Sequence, residues 1–62
     1  MSTDINNNFI IAVAHGQLEK VKLLLEKGAD VHVADDLALR LAICNGHLEI
    51  VKYLKTKIEE GK

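Results

Sequence analysis

The sequence lacks most of the residues that small domains use for stabilisation or for chemistry. It has no proline and no tryptophan, and aromatic residues make up 3% of its 62 residues. Phe9 and Tyr53 supply all the large rings, so a hydrophobic core has to come from Leu, Val, Ile and Ala. A single cysteine excludes an internal disulfide framework. A chain of this length has room for one domain, near the lower limit for folding on one core.

Strong net charge and long apolar runs are also missing. The net charge is −1, which does not favour binding to the phosphates of nucleic acid. The longest apolar run, residues 9–14, is far shorter than the ~20 residues that cross a membrane. Residues 1–14 contain no cation of the kind that begins a signal peptide. We therefore expect an intracellular, cytoplasmic protein whose partners include neither nucleic acid nor a membrane.

What the sequence does contain is an internal repeat. The segment "HGQLEKVKLL", residues 15–24, returns thirty residues later as "NGHLEIVKYL", residues 45–54. Between residues 16–27 and 46–57, seven of the twelve positions are identical. A repeat of this length is typical of units that cannot bury an apolar face alone and do so by stacking on each other.

Each repeat unit is predicted to be two helices joined by a tight turn. The second helix of each unit carries apolar residues at helical spacing along one face. They are Leu18, Val21, Leu24 and Leu25 in the first unit, and Leu48, Val51, Leu54 and Ile58 in the second. The shorter apolar segments 9–14 and 37–44 form the first helices. The predicted fold class is all-α, with two stacked helix-turn-helix repeats, 6–35 and 36–62, in a single domain of residues 1–62.

Polar residues and glycines delimit the predicted helices. Gly28 is placed to end the second helix, because glycine adopts the left-handed conformation without a steric penalty. The segment "GADVHVADD", residues 28–36, is too polar for a helix and predicts an extended turn. Side chains that can cap helices precede the first and third helices. The candidates are Asn6 or Asn7 for the first and Asp35 or Asp36 for the third.

The amino-acid sequences of two of these segments resemble the ankyrin repeat family. "GADV" at 28–31 and "NGHLEIVKYL" at 45–54 are close to the typical sequence of the family's repeats. The resemblance covers roughly residues 6–55. The thirty-residue period is similar to the ankyrin variants found in large arrays of giant DNA viruses. The resemblance implies a helical solenoid that binds other proteins through its hairpin tips and first helices.

The sequence also departs from the family pattern at the opening of each unit. The usual opening is T-P-L-H in a repeat of about 33 residues. Residues 37–40 read "LALR" and residues 7–10 read "NNFI", so the Thr and His that lock the first helix are absent. Asp36 and Arg40 are four residues apart. They are predicted to form an ion pair, worth a few tenths of a kcal/mol, in place of the missing Thr and His contacts.

The end of the second unit is predicted to be a C-terminal cap. Lys55 stands where the first unit has Leu25, and Ile58 stands where it has Gly28. The last helix should therefore continue to about Glu60 with a charged surface, as expected of a terminal repeat.

Metal-binding and catalytic patterns are weak. The available zinc ligands, His15, His32, Cys44 and His47, do not form the two close pairs that structural zinc favours. Acid–base chemistry by His32 with Asp35 or Asp36 would need a pocket that shifts their pKa values, and a short exposed connection provides none. Cys44 is expected to be a small buried thiol. We therefore predict that the protein is not an enzyme and needs no metal or cofactor.

Two interpretations of function remain open. In the first, the chain is a protein–protein interaction module whose partner is another, unidentified protein. The candidate contacts are His32, Val33, Asp35, Asp36 and Arg40. In the second, the chain is a self-associating structural unit or a remnant of a longer array, since two repeats are fewer than the ~3 usually needed for stability. Homo-oligomer contacts would then come from Phe9, Ile10 and Ile11. A viral source would place the protein in the host cell cytoplasm.

Overall fold

Four helices follow one another along the chain as two hairpins. The computed structural model describes residues 4–61, and across these the helices are α1 (Ile5–Ala14), α2 (Leu18–Glu26), α3 (Val33–Cys44) and α4 (Leu48–Glu60). Helix α1 packs against α2 and α3, α3 packs against α4, and α2 contacts α4. The predicted all-α class is therefore confirmed, and α4 ends at Glu60 as expected.

Helices α1, α2 and α3 each end at a glycine in the left-handed conformation. Gly28 has φ of +110°, and the following Ala29 N–H donates to Leu24 O at 3.0 Å. Gly28 N–H donates to Leu25 O at 3.1 Å, which completes a Schellman motif. Glycines 16 and 46, each with φ of +74°, end α1 and α3 in the same way. At each of these three helix ends, two carbonyl groups accept hydrogen bonds from local backbone N–H groups.

The start of α1 differs from the prediction. Asp4, rather than Asn6 or Asn7, is the N-cap, and its carboxylate accepts from the N–H groups of Asn6 at 3.0 Å and Asn7 at 3.3 Å. The Asn6 side chain instead accepts a hydrogen bond from Asp30 N–H at 2.8 Å. It therefore links the first helix to the turn that leads into the second unit.

The start of α3 also differs. Ala34, Asp35 and Asp36 have φ of +55°, +57° and +64°, so the helix opens with a left-handed turn before it becomes right-handed. The prediction that an aspartate caps α3 is wrong, because an N-cap needs extended backbone and neither aspartate has it. The predicted extended segment is likewise replaced at its end by this turn. Three consecutive non-glycine residues in this region store strain.

The core lies between the two hairpins. Its buried apolar residues are Phe9, Ala12, Val13, Val21, Leu24, Ala29, Ala38, Ala42, Ile50, Val51 and Leu54. Leu48 was predicted to be buried but is 70% exposed, whereas Ile50, outside the predicted stripe, is 2% exposed. Cys44 is exposed rather than buried. These differences follow from which side of the second unit meets the first.

Candidate binding surface

The connection between the two units is held to the rest of the protein by hydrogen bonds and apolar contacts. Its first link is the bond from Asp30 N–H to the Asn6 side chain. Its second is the bond from His32 N–H to Asp30 Oδ1 at 2.9 Å, an Asx turn that supports the backbone locally. Val31 and Val33 are half-buried against the core and hold the segment down. The turn is therefore anchored at its base and free to expose its other side chains.

A short side-chain contact spans the left-handed turn. His32 Nδ1 lies 2.6 Å from Asp36 Oδ1, with the two side chains 56% and 46% exposed. Among residues 4–61 the ion pairs are this one, when the histidine is protonated, and Lys57–Glu60. The predicted Asp36–Arg40 pair is therefore wrong, because the left-handed turn directs Asp36 back to His32.

The five predicted contact residues lie in this region with different accessibility. His32, Asp35 and Arg40 are exposed, while Val33 and Asp36 are half-buried. The exposed set combines an acid, a guanidinium and an imidazole on one connection and the helix it starts. Such a mixture can give electrostatic complementarity and specificity to a protein contact.

The turn between α3 and α4 holds the two units in register. His47 Nε2 lies 3.1 Å from Ala14 O, and Asn45 Nδ2 donates to the same carbonyl at 3.4 Å. Because a carbonyl only accepts, His47 donates from Nε2. Ala14 O belongs to the last turn of α1 and has no helical partner, so the second unit supplies its donors. His47 therefore links the second unit to the end of α1.

Sequence reasoning missed a groove between α2 and α4. Tyr53 lies under two cations, with Lys22 Nζ and Lys57 Nζ each 5.5 Å from the ring centroid. The groove beside it has a volume of about 220 Å³ and is lined partly by Leu25 and Val31. The negative charge of the Tyr53 phenolate contributes most to raising the pKa of Lys57, and the Glu60 carboxylate contributes next. The rarity of aromatic residues was the signal that could have drawn attention to Tyr53.

The structure also bears on the predicted metal ligands, membrane spans and self-association residues. Within the described range, no three His, Cys, Asp or Glu side chains are grouped so that they could hold a metal ion. None of the helices between residues 4 and 61 is long and apolar enough to span a bilayer. Phe9 is fully buried among the side chains of its own chain, which removes it from any surface between copies. Ile10 is half-buried, and Ile11 is 45% exposed.

Comparison with known proteins gives a consistent family match. The model for ankyrin repeats, which describes three copies, matches residues 2–61. Ankyrin repeat protein L66 of Acanthamoeba polyphaga mimivirus is 41% identical over 39 residues, which are 63% of this chain and 7% of that protein. The human Notch-regulated ankyrin repeat-containing protein is 47% identical over 49 residues, 74% of this chain and 43% of that protein.

A zebrafish relative matches to the same degree. Notch-regulated ankyrin repeat-containing protein A of Danio rerio is also 47% identical over 49 residues, and the match covers 44% of its length. The chain thus spans less than half the length of these curated relatives. The mimivirus protein supports the resemblance to giant-virus repeats. No solved structure matches the chain.

Proposed function

We propose that this chain, which belongs to the ankyrin repeat family, is a non-catalytic module that binds another protein through the connection between its two units. Ankyrin repeats are generally protein-interaction modules and are generally non-enzymatic. The proposed contacts are His32, Val33, Asp35, Asp36 and Arg40.

The observation that carries the proposal is the anchored, exposed turn at residues 30–36. Its base is fixed by the Asn6 side chain, and its tip is braced by the 2.6 Å contact between His32 and Asp36. A surface that is already ordered loses little conformational entropy on binding. Asp35 in this turn and Arg40 on α3 offer opposite charges to a partner, and the turn backbone needs little further ordering when a partner binds.

The extent and setting of the module are part of the proposal. We take residues 1–62 as one domain with repeats 6–35 and 36–62, working inside the cell. The exposed thiol of Cys44 suits a reducing compartment, where it stays free. A remnant of a longer array would have the same two units but no preferred partner at the turn.

Selection from a displayed library of protein domains tests this proposal. The immobilised 62-residue chain selects binders, and each binder is titrated against Asp35→Lys, Arg40→Glu and the control Lys52→Glu. All three residues are exposed, but Lys52 lies on α4 rather than on the connection or on α3. We expect Asp35→Lys and Arg40→Glu each to weaken binding at least ~10-fold, which corresponds to about 1.4 kcal/mol.

The control decides how the result is interpreted. If Lys52→Glu weakens binding as much as Arg40→Glu, which makes the same change in net charge, binding depends on overall charge and the proposed surface is wrong. If binders are selected and neither Asp35→Lys nor Arg40→Glu changes their affinity, the module binds through another face.

A further inference from the structure

The dipeptide Asn45-Gly46, at the turn between α3 and α4, is the one place in the chain where glycine follows asparagine. This pairing is prone to deamidation, because glycine has no side chain to hinder attack by its backbone nitrogen on the asparagine side chain. Both residues are exposed, so water reaches the side-chain amide. The equivalent of Asn45 in the first unit is His15, so this chemistry belongs to the second unit alone.

Deamidation at this dipeptide has two balanced steps. The backbone nitrogen of Gly46 forms a bond to Cγ of Asn45, and the side-chain nitrogen leaves as ammonia, which carries away the proton that the Gly46 nitrogen loses. The product is a five-membered succinimide ring. Water then adds to one of the two ring carbonyl groups and opens the ring, which yields aspartate or isoaspartate. Water is the only co-reactant.

The folded turn holds Asn45 in a conformation that cannot close this ring. Ring closure requires the Gly46 nitrogen to lie on the same side of the Cα–C bond as Cβ of Asn45. Asn45 has ψ of 0°, which instead eclipses the Gly46 nitrogen with the backbone nitrogen of Asn45 itself. Gly46 N–H also donates to Ile43 O at 3.2 Å, so its proton is held in a hydrogen bond. Deamidation therefore requires the turn to open.

Contacts with the first unit keep the turn closed. Asn45 Nδ2 donates to Ala14 O at 3.4 Å, and His47 Nε2 donates to the same carbonyl at 3.1 Å. Within the turn, His47 N–H donates to Ala42 O at 2.9 Å. Opening breaks these hydrogen bonds together, so it costs free energy and is rare in the folded chain. The rate of reaction at Asn45 thus depends on whether the two units stay docked.

The product carries a negative charge at a place where two helices end. Asn45 is the C-cap of α3, and Ala14 is the last residue of α1. Helix C-termini carry partial negative charge, so a carboxylate beside them is unfavourable. An ionised carboxylate also has no proton to donate, so the hydrogen bond to Ala14 O is lost and two acceptors face each other. Isoaspartate in addition lengthens the backbone of the turn.

We propose that Asn45 is a site of spontaneous deamidation, which is suppressed while the two units are docked and which loosens their contact once it occurs. The closed turn slows the reaction, and the product destabilises the closed turn. The step is irreversible, because ammonia is lost to the solvent. Deamidation therefore limits the lifetime of the stacked pair without a partner or an enzyme. None of these contacts involves the connection at residues 30–36, so the inference is independent of the proposed binding surface.

Tandem mass spectrometry of the 62-residue chain during incubation at fixed temperature and pH tests the suppression. In urea that unfolds the chain, Asn45 should gain the mass difference between an amide and a carboxyl group. In the folded chain the rate should be at least ~10-fold lower. The other asparagines, each followed by a residue with a side chain, are internal references that should react much more slowly; they are Asn6, Asn7 and Asn8. Equal rates at Asn45 in folded and unfolded samples, or no reaction in urea, would overturn the proposal.

A histidine substitution tests the link to the first unit. His47→Ala removes the 3.1 Å hydrogen bond to Ala14 O and should speed deamidation of the folded chain about 5-fold, the factor expected for one lost hydrogen bond. His32→Ala, in the connection between the units, is the matched control and should leave the rate unchanged. Circular dichroism checks that both variants keep their helices. An equal increase in both variants means that global unfolding sets the rate, which contradicts the role of this turn.

Asn45→Asp imitates the aspartate product and tests its effect on the stack. One unit cannot bury its apolar face alone, so lost contact between the units is measured as unfolding. In a urea titration Asn45→Asp should raise the equilibrium constant for unfolding about 3–10-fold. Asn7→Asp makes the same change in charge in the first turn of α1, where the helix end favours an anion, and should not raise it. If the two variants unfold alike, the product does not act through this turn and the proposal is wrong.

Discussion

Substitution of Gly16 by alanine tests how the two units are held in register. Gly16 has φ of +74°, and a Cβ atom there would lie 2.7 Å from Cε1 of His47. Gly46 occupies the equivalent turn with the same φ of +74°, but a Cβ atom there would meet nothing within 4 Å. The two alanine variants therefore share the backbone strain and differ in the contact with His47.

The expected magnitudes follow from these two terms. Placing alanine in the left-handed region costs about 1–2 kcal/mol at either position. At Gly16 the added methyl group also displaces the His47 ring and removes its 3.1 Å hydrogen bond to Ala14 O, worth about 1 kcal/mol. We expect Gly16→Ala to lower the free energy of unfolding by about 2–3 kcal/mol and Gly46→Ala by about 1–2 kcal/mol. Entropy changes of the unfolded chain affect both variants alike and cancel.

Urea unfolding followed by far-ultraviolet circular dichroism measures the difference. A core of this size supplies only about 3–5 kcal/mol, so all samples should contain the same concentration of a stabilising osmolyte. A double-mutant cycle completes the test, because Gly16→Ala in a His47→Ala background should cost no more than Gly46→Ala. Equal losses for the two glycine variants in the wild-type background would refute the reasoning.

Two further predictions concern the connection between the units. Asn6→Ala should lower the free energy of unfolding by about 1 kcal/mol, because Asp30 N–H loses its acceptor at 2.8 Å; Asn7→Ala, on the same helix turn, is the control and should change it by less in the same urea titration. Ala34→Gly should raise the free energy of unfolding by about 1 kcal/mol, because glycine adopts φ of +55° without a Cβ clash. Destabilisation by Ala34→Gly would show that the residue is not in the left-handed conformation.

Much of the fold could be predicted from local sequence patterns. The thirty-residue repeat predicted two similar helix pairs, and the apolar spacing of α2 predicted which side of it is buried. Gly28 ends α2 as expected, because its positive φ depends on a local steric property of glycine.

The candidate surface was readable only in part. His32, Asp35 and Arg40 are exposed near the connection, as a polar segment predicts. The left-handed turn was not predicted, because alanine rarely adopts positive φ and aspartate adopts it only occasionally, usually as a single residue. The contact from Asp36 to His32 follows from that turn, so the ion pair predicted from helical spacing was lost with it.

The sequence by itself determined that helices form, where glycine ends them and which residue types build the core, since these properties depend on neighbours along the chain. The tertiary structure decided which equivalent residues are covered. Val13 and Ile43 have nearly the same chemistry and the same place in their units, yet one is fully buried and the other is 56% exposed. Burial depends on what packs against a residue. The second unit packs against the side of the first unit that carries Val13, whereas the equivalent side of the second unit, which carries Ile43, is open.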